Sequence, residues 1–177
     1  MKQILNRLYQ HRQLSRAEAK QIFYAIAEQQ YNDIQVASFL TVFMMRPITL
    51  EELQGFRDAM VELCVKIDLE GRATIDIVGT GGDGKDTFNI STITSFVVAG
   101  AGYKVTKHGS YASSSASGSS DVLLHHGYQF TNQRDQLLKQ LDAANICFFH
   151  APLFHPAMKA VVPVRKQLKV KTFFNML

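Results

Sequence analysis

Residues 76–92, Asp-Ile-Val-Gly-Thr-Gly-Gly-Asp-Gly-Lys-Asp-Thr-Phe-Asn-Ile-Ser-Thr, constrain the fold more than any other stretch of the chain. A short apolar segment reads as a strand and runs into a loop containing Gly79, Gly81, Gly82 and Gly84. Asn89, Ser91 and Thr92 then place small hydrogen-bonding side chains at the start of an apolar run, 93–102, that reads as a helix. Glycine opens backbone conformations closed to other residues and lets the main chain come close to a ligand. A helix N-terminus adds unpaired N–H groups and the positive end of the helix dipole, so the local chemistry suits a phosphate or pyrophosphate. The spacing is neither that of a Gly-Lys-Ser/Thr phosphate loop nor that of G-x-G-x-x-G.

Hydrophobic periodicity changes character at Gly71. Before it the pattern is helical. Leu5 and Leu8 line a first helix; Ser15-Arg-Ala-Glu18 is a capping box opening a second, with Ala19, Ile22, Phe23 and Ile26 at helical spacing. Asn32 to Gln35 opens a third, lined by Val36, Phe39, Leu40 and Phe43 and stopped by Pro47. Thr49-Leu-Glu-Glu52 caps a fourth, with Leu53, Phe56, Met60, Leu63 and Ile67 along one side. Beyond Gly71 short strands (74–78, 103–106, 146–149) alternate with helices (92–101, 119–126, 132–143, 156–168). That alternation predicts a mainly parallel sheet covered on both faces. The expected class is therefore α/β, with a small helical domain at 1–70 and a partial α/β sheet domain at 71–177. Ligands of such sheets sit at the carboxyl ends of the strands. The loops 79–91 and 107–119 both leave strands at that end and are expected to face one pocket.

Composition narrows the function classes. The chain has 177 residues, 46% hydrophobic and 19% charged, as in ordinary globular proteins. No apolar run is long enough to span a bilayer and the first residues lack a signal-peptide core, which predicts a cytoplasmic protein. Cys64 and Cys147 have no metal-like spacing and read as reduced, packed thiols; His125, His126, His150 and His155 lack partners at ligand spacing. Charge is uneven: residues 1–70 carry eight Lys/Arg against nine Asp/Glu, residues 71–177 eleven against six. A basic field alone is usually a solvated face, but beside the glycine loop it favours an anionic small molecule.

Four ordered motifs carry a resemblance. Gly79-Thr-Gly-Gly-Asp83 with Thr87-Phe-Asn-Ile-Ser-Thr92, Lys107-His-Gly109, Ser113 to Asp121, and the segments His155 to Met158, Pro163 to Arg165 and Thr172 to Asn175 resemble the anthranilate phosphoribosyltransferase family from about Asp76 onward. The resemblance implies a nucleoside phosphorylase/phosphoribosyltransferase-like architecture and transfer of a phosphoribosyl group from phosphoribosyl pyrophosphate to the amine of anthranilate in tryptophan biosynthesis. It implies that Gly79, Gly81, Gly82, Asp83, Thr87, Asn89, Ile90, Ser91, Thr92, Lys107, Ser115 and Ser119 bind phosphoribosyl pyrophosphate. Anthranilate falls to Gly79, His108, Ser110 and Arg165, whose guanidinium fork suits a carboxylate. Ser91 is the implied ligand of a Mg2+ cofactor. No catalytic base is identified, and an aromatic amine, already neutral at pH 7, does not demand one. Taken singly, Ser91, Thr92 and Ser119 read as helix caps and Asp83 as a turn residue; the order of the motifs favours the functional roles.

Where the family reads Lys-His-Gly-Asn-Arg, this chain has Lys107-His-Gly-Ser-Tyr111, so weaker or altered acceptor recognition is expected. The family's adjacent Asp-Glu pair for magnesium is absent, and three strands make an unfinished sheet. The expectation is an N-terminal portion of the enzyme, inactive alone, whose first domain makes a dimer contact in a homodimer or swapped oligomer, with no membrane or nucleic acid partner. A pyrimidine nucleoside phosphorylase-like enzyme and a non-catalytic nucleic-acid-binding or interaction paralogue are the alternatives.

Overall fold

Three capping boxes set the helical part. Ser15, Asn32 and Thr49 each accept the backbone N–H of the residue three positions on, and Glu18, Gln35 and Glu52 return a side-chain bond to the cap. The helices α1 (Lys2–Tyr9), α2 (Arg16–Ala27), α3 (Asp33–Met45) and α4 (Leu50–Leu63) follow. The structure, a computed structural model, describes residues 1–79, 88–112 and 117–175. It divides into two compact units, Met1–Cys64 with His155–Leu177, and Val65–Phe154.

The first unit is built on an aromatic core. Phe23, Phe39 and Phe56 are fully buried with Leu8, Ile26 and Leu40, and residues from the far end of the chain join them: Val161, Val164, Phe173 and Phe174. Phe173 stacks on Phe56 at 4.6 Å and meets Phe43 edge-on at 5.1 Å, while Phe174 lies 5.5 Å from Phe23. Each buried ring removes a large apolar area from water at roughly 25 cal/mol per Å2. The compact units divide the chain at Cys64/Val65 and again at Phe154/His155, and the phenylalanines of 155–177 pack into the helical core. The helix expected over 156–168 is a 3-10 turn, Pro156–Ala160, followed by α9, Val162–Leu168. Pro163, which has no N–H to give, is tolerated only in the first turn of the second piece.

One carboxylate holds the α3–α4 corner. Glu52 is wholly buried and accepts from Leu14 N (2.9 Å), Thr49 N (2.9 Å) and the Arg46 guanidinium (2.6 and 3.0 Å). Burial pushes its pKa up, but Arg46 and the Leu14 and Thr49 amides prevail and hold it below the ordinary carboxylate value.

In the second unit β1 (Val105–Gly109) and β2 (Ile146–His150) pair in parallel, from Val105↔Ile146 to Gly109↔His150. Around them lie α5 (Ile90–Gly100), α6 (Ser119–His125), α7 (Arg134–Ala144) and the short α8 (Ala151–Phe154), which the sequence reading did not anticipate. The expected strand 74–78 is reduced to one parallel bridge, Ile75↔Val105. A continued ladder would run from Ile77 N to the Thr106 carbonyl and then from His108 N to the Ile77 carbonyl. Instead His108 N donates to Asp76 Oδ1 (3.1 Å) and the Ile77 carbonyl accepts the Lys107 ammonium (2.7 Å), so two side chains end the pairing. The chain enters and leaves this unit side by side, Val65 N donating to the Phe154 carbonyl at 2.8 Å.

Helix α5 has its polarity inverted. Thr92, Ser95 and Ala99 are buried, whereas Ile90, Ile93, Phe96 and Val97 are 53, 52, 47 and 66% exposed.

Replacing Glu52 by Gln leaves Arg46 buried beside a neutral amide and is expected to destabilise the chain by about 3 kcal/mol in urea unfolding. Because the folded-state pKa is depressed, the wild-type contribution is complete above the unfolded value and drains away as pH falls below it, so Glu52→Gln should flatten the acid limb of the stability profile.

Candidate functional site: a buried lysine at the start of the fifth helix

The two side-chain bonds that end the ladder also build the site. Lys107 leaves β1 with its side chain turned inward, and the residue is 2% exposed. Its Nζ donates to the Ile77 carbonyl at 2.7 Å and to Ser91 Oγ at 3.3 Å. It therefore ties the end of the segment that precedes the glycine loop to the first turn of the helix that follows it. Burial lowers the Lys107 pKa, and the nearby Asp76 charge opposes that shift. Among the described residues Lys107 makes no ion pair, so a desolvated positive charge rests on a carbonyl and a hydroxyl. Gly79 stands above Ser91: a Cβ there would come 3.9 Å from Ser91 Oγ. Asn89 caps α5 through its main chain, its carbonyl accepting from Thr92 N and Ile93 N at 3.1 Å, with Ile90 as the first helical residue.

A second loop is fastened to the first. Thr92 Oγ1 donates to Ser119 Oγ at 2.9 Å, joining the starts of α5 and α6. The Asp121 carboxylate accepts from Ala112 N (2.8 Å) and Gly118 N (2.7 Å), clasping the chain on either side of 113–116. A Cβ on Gly118 would lie 2.3 Å from Ala112 N, so only glycine permits this approach. Below, Ser120 Oγ and His150 Nδ1 share a buried hydrogen bond of 2.9 Å. Phe130 stacks on the imidazole at 4.3 Å and Tyr111 meets it edge-on at 4.8 Å. Burial, against Asp121, holds the His150 pKa below the ordinary histidine value. A cavity of about 10 Å3, room for about one water, lies between Lys107, Ser119, Ser120 and His150.

The structure thus brings together Gly79, Asn89, Ile90, Ser91, Thr92, Lys107 and Ser119. His108 is half-buried beside Asp76, its pKa lowered by burial, and Ser110 is exposed, with its carbonyl accepting from Ser120 N at 3.2 Å. Arg165 belongs to the other unit, on α9, where its guanidinium lies 5.8 Å from the Phe174 ring and burial lowers its pKa. Gly81, Gly82, Asp83, Thr87 and Ser115 fall outside the described residues. Sequence reasoning missed Asp76, Ser120, Asp121 and His150 as site-shaping groups. The legible signal was Asp121 three residues after Gly118, a capping-box spacing.

The Ser91 hydroxyl is a hard oxygen suited to a magnesium ion, with a second lone pair beside the one facing Lys107. No group of three or more His, Cys, Asp or Glu among the described residues could hold a metal ion. The site fits an ion that arrives with phosphate oxygens better than one held by the protein alone. No helix among the described residues is long and apolar enough to cross a membrane.

Comparison with known proteins agrees with this geometry. Residues 71–177 match the glycosyl transferase family, a/b domain, and residues 2–64 the helical bundle domain of the same family. The chain is 62% identical over all its 177 residues to an anthranilate phosphoribosyltransferase of Christiangramia forsetii and 58% identical to one of Bacteroides fragilis, spanning 54% of each. The fold superposes on the anthranilate phosphoribosyltransferase of Thermus thermophilus with a TM-score of 0.83 at 33% identity, covering 97% of this chain and 52% of that one. The Saccharomyces cerevisiae enzyme in complex with PRPP and Mg gives a TM-score of 0.85 at 31% identity, again with 97% of this chain and 52% of that one covered. The chain spans about half the length of the curated relatives it matches.

Truncating Asp121 to Ala leaves the Ala112 and Gly118 amides without their acceptor. The expected outcome is a loss of about 2 kcal/mol of stability together with faster amide exchange on either side of residues 113–116.

Proposed function

The chain belongs to the glycosyl transferase family, and we propose that it is the phosphoribosyl pyrophosphate-binding portion of an anthranilate phosphoribosyltransferase. The observation that carries the reading is Lys107, a buried ammonium whose partners among the described residues are a carbonyl and a hydroxyl. A charge so placed is poorly solvated, and an arriving anion restores what burial removed.

In the proposed reaction the amine nitrogen of anthranilate forms a bond to the anomeric carbon of the ribose while the bond from that carbon to pyrophosphate breaks. The amine loses a proton and pyrophosphate departs with the bonding pair. Positive charge builds on the sugar and negative charge on the leaving group, so preorganised donors lower the barrier. Lys107, Ser91, Thr92 and Ser119, with the loop residues Gly79, Gly81, Gly82, Asp83, Thr87 and Ser115 and the helix start Asn89–Ile90, are the proposed pyrophosphate and phosphate donors. Magnesium brought with the substrate would neutralise leaving-group charge, with the Ser91 hydroxyl as its protein ligand. Anthranilate is assigned to Gly79, His108, Ser110 and Arg165, Arg165 holding the carboxylate. Ser110 has one short hydroxyl for this task, and Ser110→Asn should tighten acceptor binding several-fold in an assembled enzyme.

A cytoplasmic setting agrees with two free cysteines, Cys64 half-buried and Cys147 buried, the latter with its thiol pushed up to about 12 by burial. A homodimer through the helical unit would cover Ile34, Met45 and Leu50, which are 78, 85 and 69% exposed; a monomer in light scattering at micromolar concentration would remove that part of the proposal.

Calorimetric titration with phosphoribosyl pyrophosphate, with and without magnesium, tests the assignment. Saturable binding is expected, and Lys107→Met should weaken it at least tenfold while changing thermal stability little, because the deleted charge was desolvated. The lysine pKa is lowered, so affinity should decline on the alkaline side at pH values below the ordinary lysine range. Absent binding by the wild-type chain would overturn the reading.

A further inference from the structure

One buried titratable group takes no part in the proposed chemistry. His150 closes β2 at its carboxyl end, in register with Gly109 at the end of β1. It is 5% exposed, and its hydrogen-bond partner Ser120 is 2% exposed. The imidazole fills a slot between Phe130, which stacks on it, and Tyr111, which meets it edge-on. An apolar ring would fill that slot with no polar atom to satisfy. What the imidazole adds is Nδ1, 2.9 Å from the Ser120 hydroxyl, and a buried hydroxyl without a partner is costly.

Ser120 is a junction. Its N–H donates to the Ser110 carbonyl at 3.2 Å, and its neighbour Ser119 accepts from Thr92 Oγ1 at 2.9 Å. Ser119 also packs on the end of β1, where a Cβ on Gly109 would come 3.4 Å from the Ser119 Cβ. With Thr92 donating to its oxygen, the Ser119 hydroxyl keeps its own proton to give. We propose that His150 is a positioning residue: through Ser120 it fixes the first turn of α6 and so aims the Ser119 hydroxyl at a phosphate group of the substrate. The inference deepens the proposed function and rests on it for the identity of that substrate.

The slot holds the neutral ring. The titratable and charged groups around it are Lys107, which lines the same small cavity, and His108 on β1, Asp121 on α6, and the Tyr111 phenol. Burial lowers the His150 pKa; Asp121 opposes that shift and His108 adds to it. A depressed histidine pKa means that the contribution is complete above the ordinary histidine value and is lost as pH falls through the lowered one.

The test titrates this full chain with phosphoribosyl pyrophosphate and magnesium from about pH 5.5 to about pH 8, and follows exchange of the Ser120 amide in the ligand-free chain. His150→Phe keeps a ring in the slot and removes the bond. It should weaken binding about tenfold near neutral pH and speed Ser120 exchange to a similar extent. Ser120→Ala removes the same bond from the other side, so the double variant should bind no more weakly than either single one. His150→Asn places an amide near the position of Nδ1 and should stay within about twofold of wild type at neutral pH. The substrate's phosphates and His108 titrate in both chains, so the Kd of wild type divided by that of His150→Asn isolates His150. That ratio should rise as pH falls below the ordinary histidine value. His126→Asn, at the far end of α6, should change neither readout. Full affinity with unchanged exchange in His150→Phe, a His150→Asn chain no better than His150→Phe, or a Kd ratio flat across pH would each overturn the proposal. A chain that binds no phosphoribosyl pyrophosphate, yet loses Ser120 protection in His150→Phe and regains it in His150→Asn, would overturn the functional reading and leave the positioning role standing.

Discussion

The Lys107 ammonium is the interaction on which the rest of the site depends. Its hydrogen bond to the Ile77 carbonyl takes an acceptor that the sheet would otherwise use, and Asp76 takes the matching donor from His108. The strand is thereby released at the point where a glycine loop must begin. The same ammonium reaches Ser91 and holds the start of α5 beside it. A carboxylate in place of the carbonyl would neutralise the lysine. Among the described residues the buried cation has dipolar partners, a carbonyl and a hydroxyl.

Much of this was legible from the residues. The helices α1 to α4 were readable because their signals are local: a cap, its reciprocal partner three residues on, and a stripe at helical spacing. The polar start of α5 was readable because Asn89, Ser91 and Thr92 precede or open an apolar run. What escaped depended on side chains meeting across the chain. The run 74–78 has the composition of a strand, and only the reach of Lys107 and Asp76 shows why it pairs once. The phenylalanines 173 and 174 followed a sheet-like alternation of elements, yet their neighbours are Phe23, Phe43 and Phe56. His150 closes the apolar strand Ile-Cys-Phe-Phe, and its partner Ser120 lies 30 residues away, a pairing no local pattern announces.

The two loops are organised by different means. The first is held where it meets α5, by the Lys107 ammonium on Ser91. The second is positioned from its ends, by a carboxylate that accepts two amides across the segment it encloses, and from behind, by a histidine wedged between Phe130 and Tyr111. The Thr92–Ser119 hydroxyl pair links them, so a displacement of either helix start is felt by the other.

The unit Val65–Phe154 is an insertion: the chain leaves the helical unit at Cys64 and returns to it at His155, through neighbouring strands of chain joined at Val65 and Phe154. During synthesis on the ribosome this reverses the order of completion. The helices emerge first, but their aromatic core lacks Phe173 and Phe174 until the inserted unit has been made as well. The inserted unit, encoded later, is the first for which every residue is available. A nascent chain therefore carries Phe23, Phe43 and Phe56 without their final cover through the translation of about a hundred residues, the interval in which such a surface is most open to chaperones and to neighbouring chains.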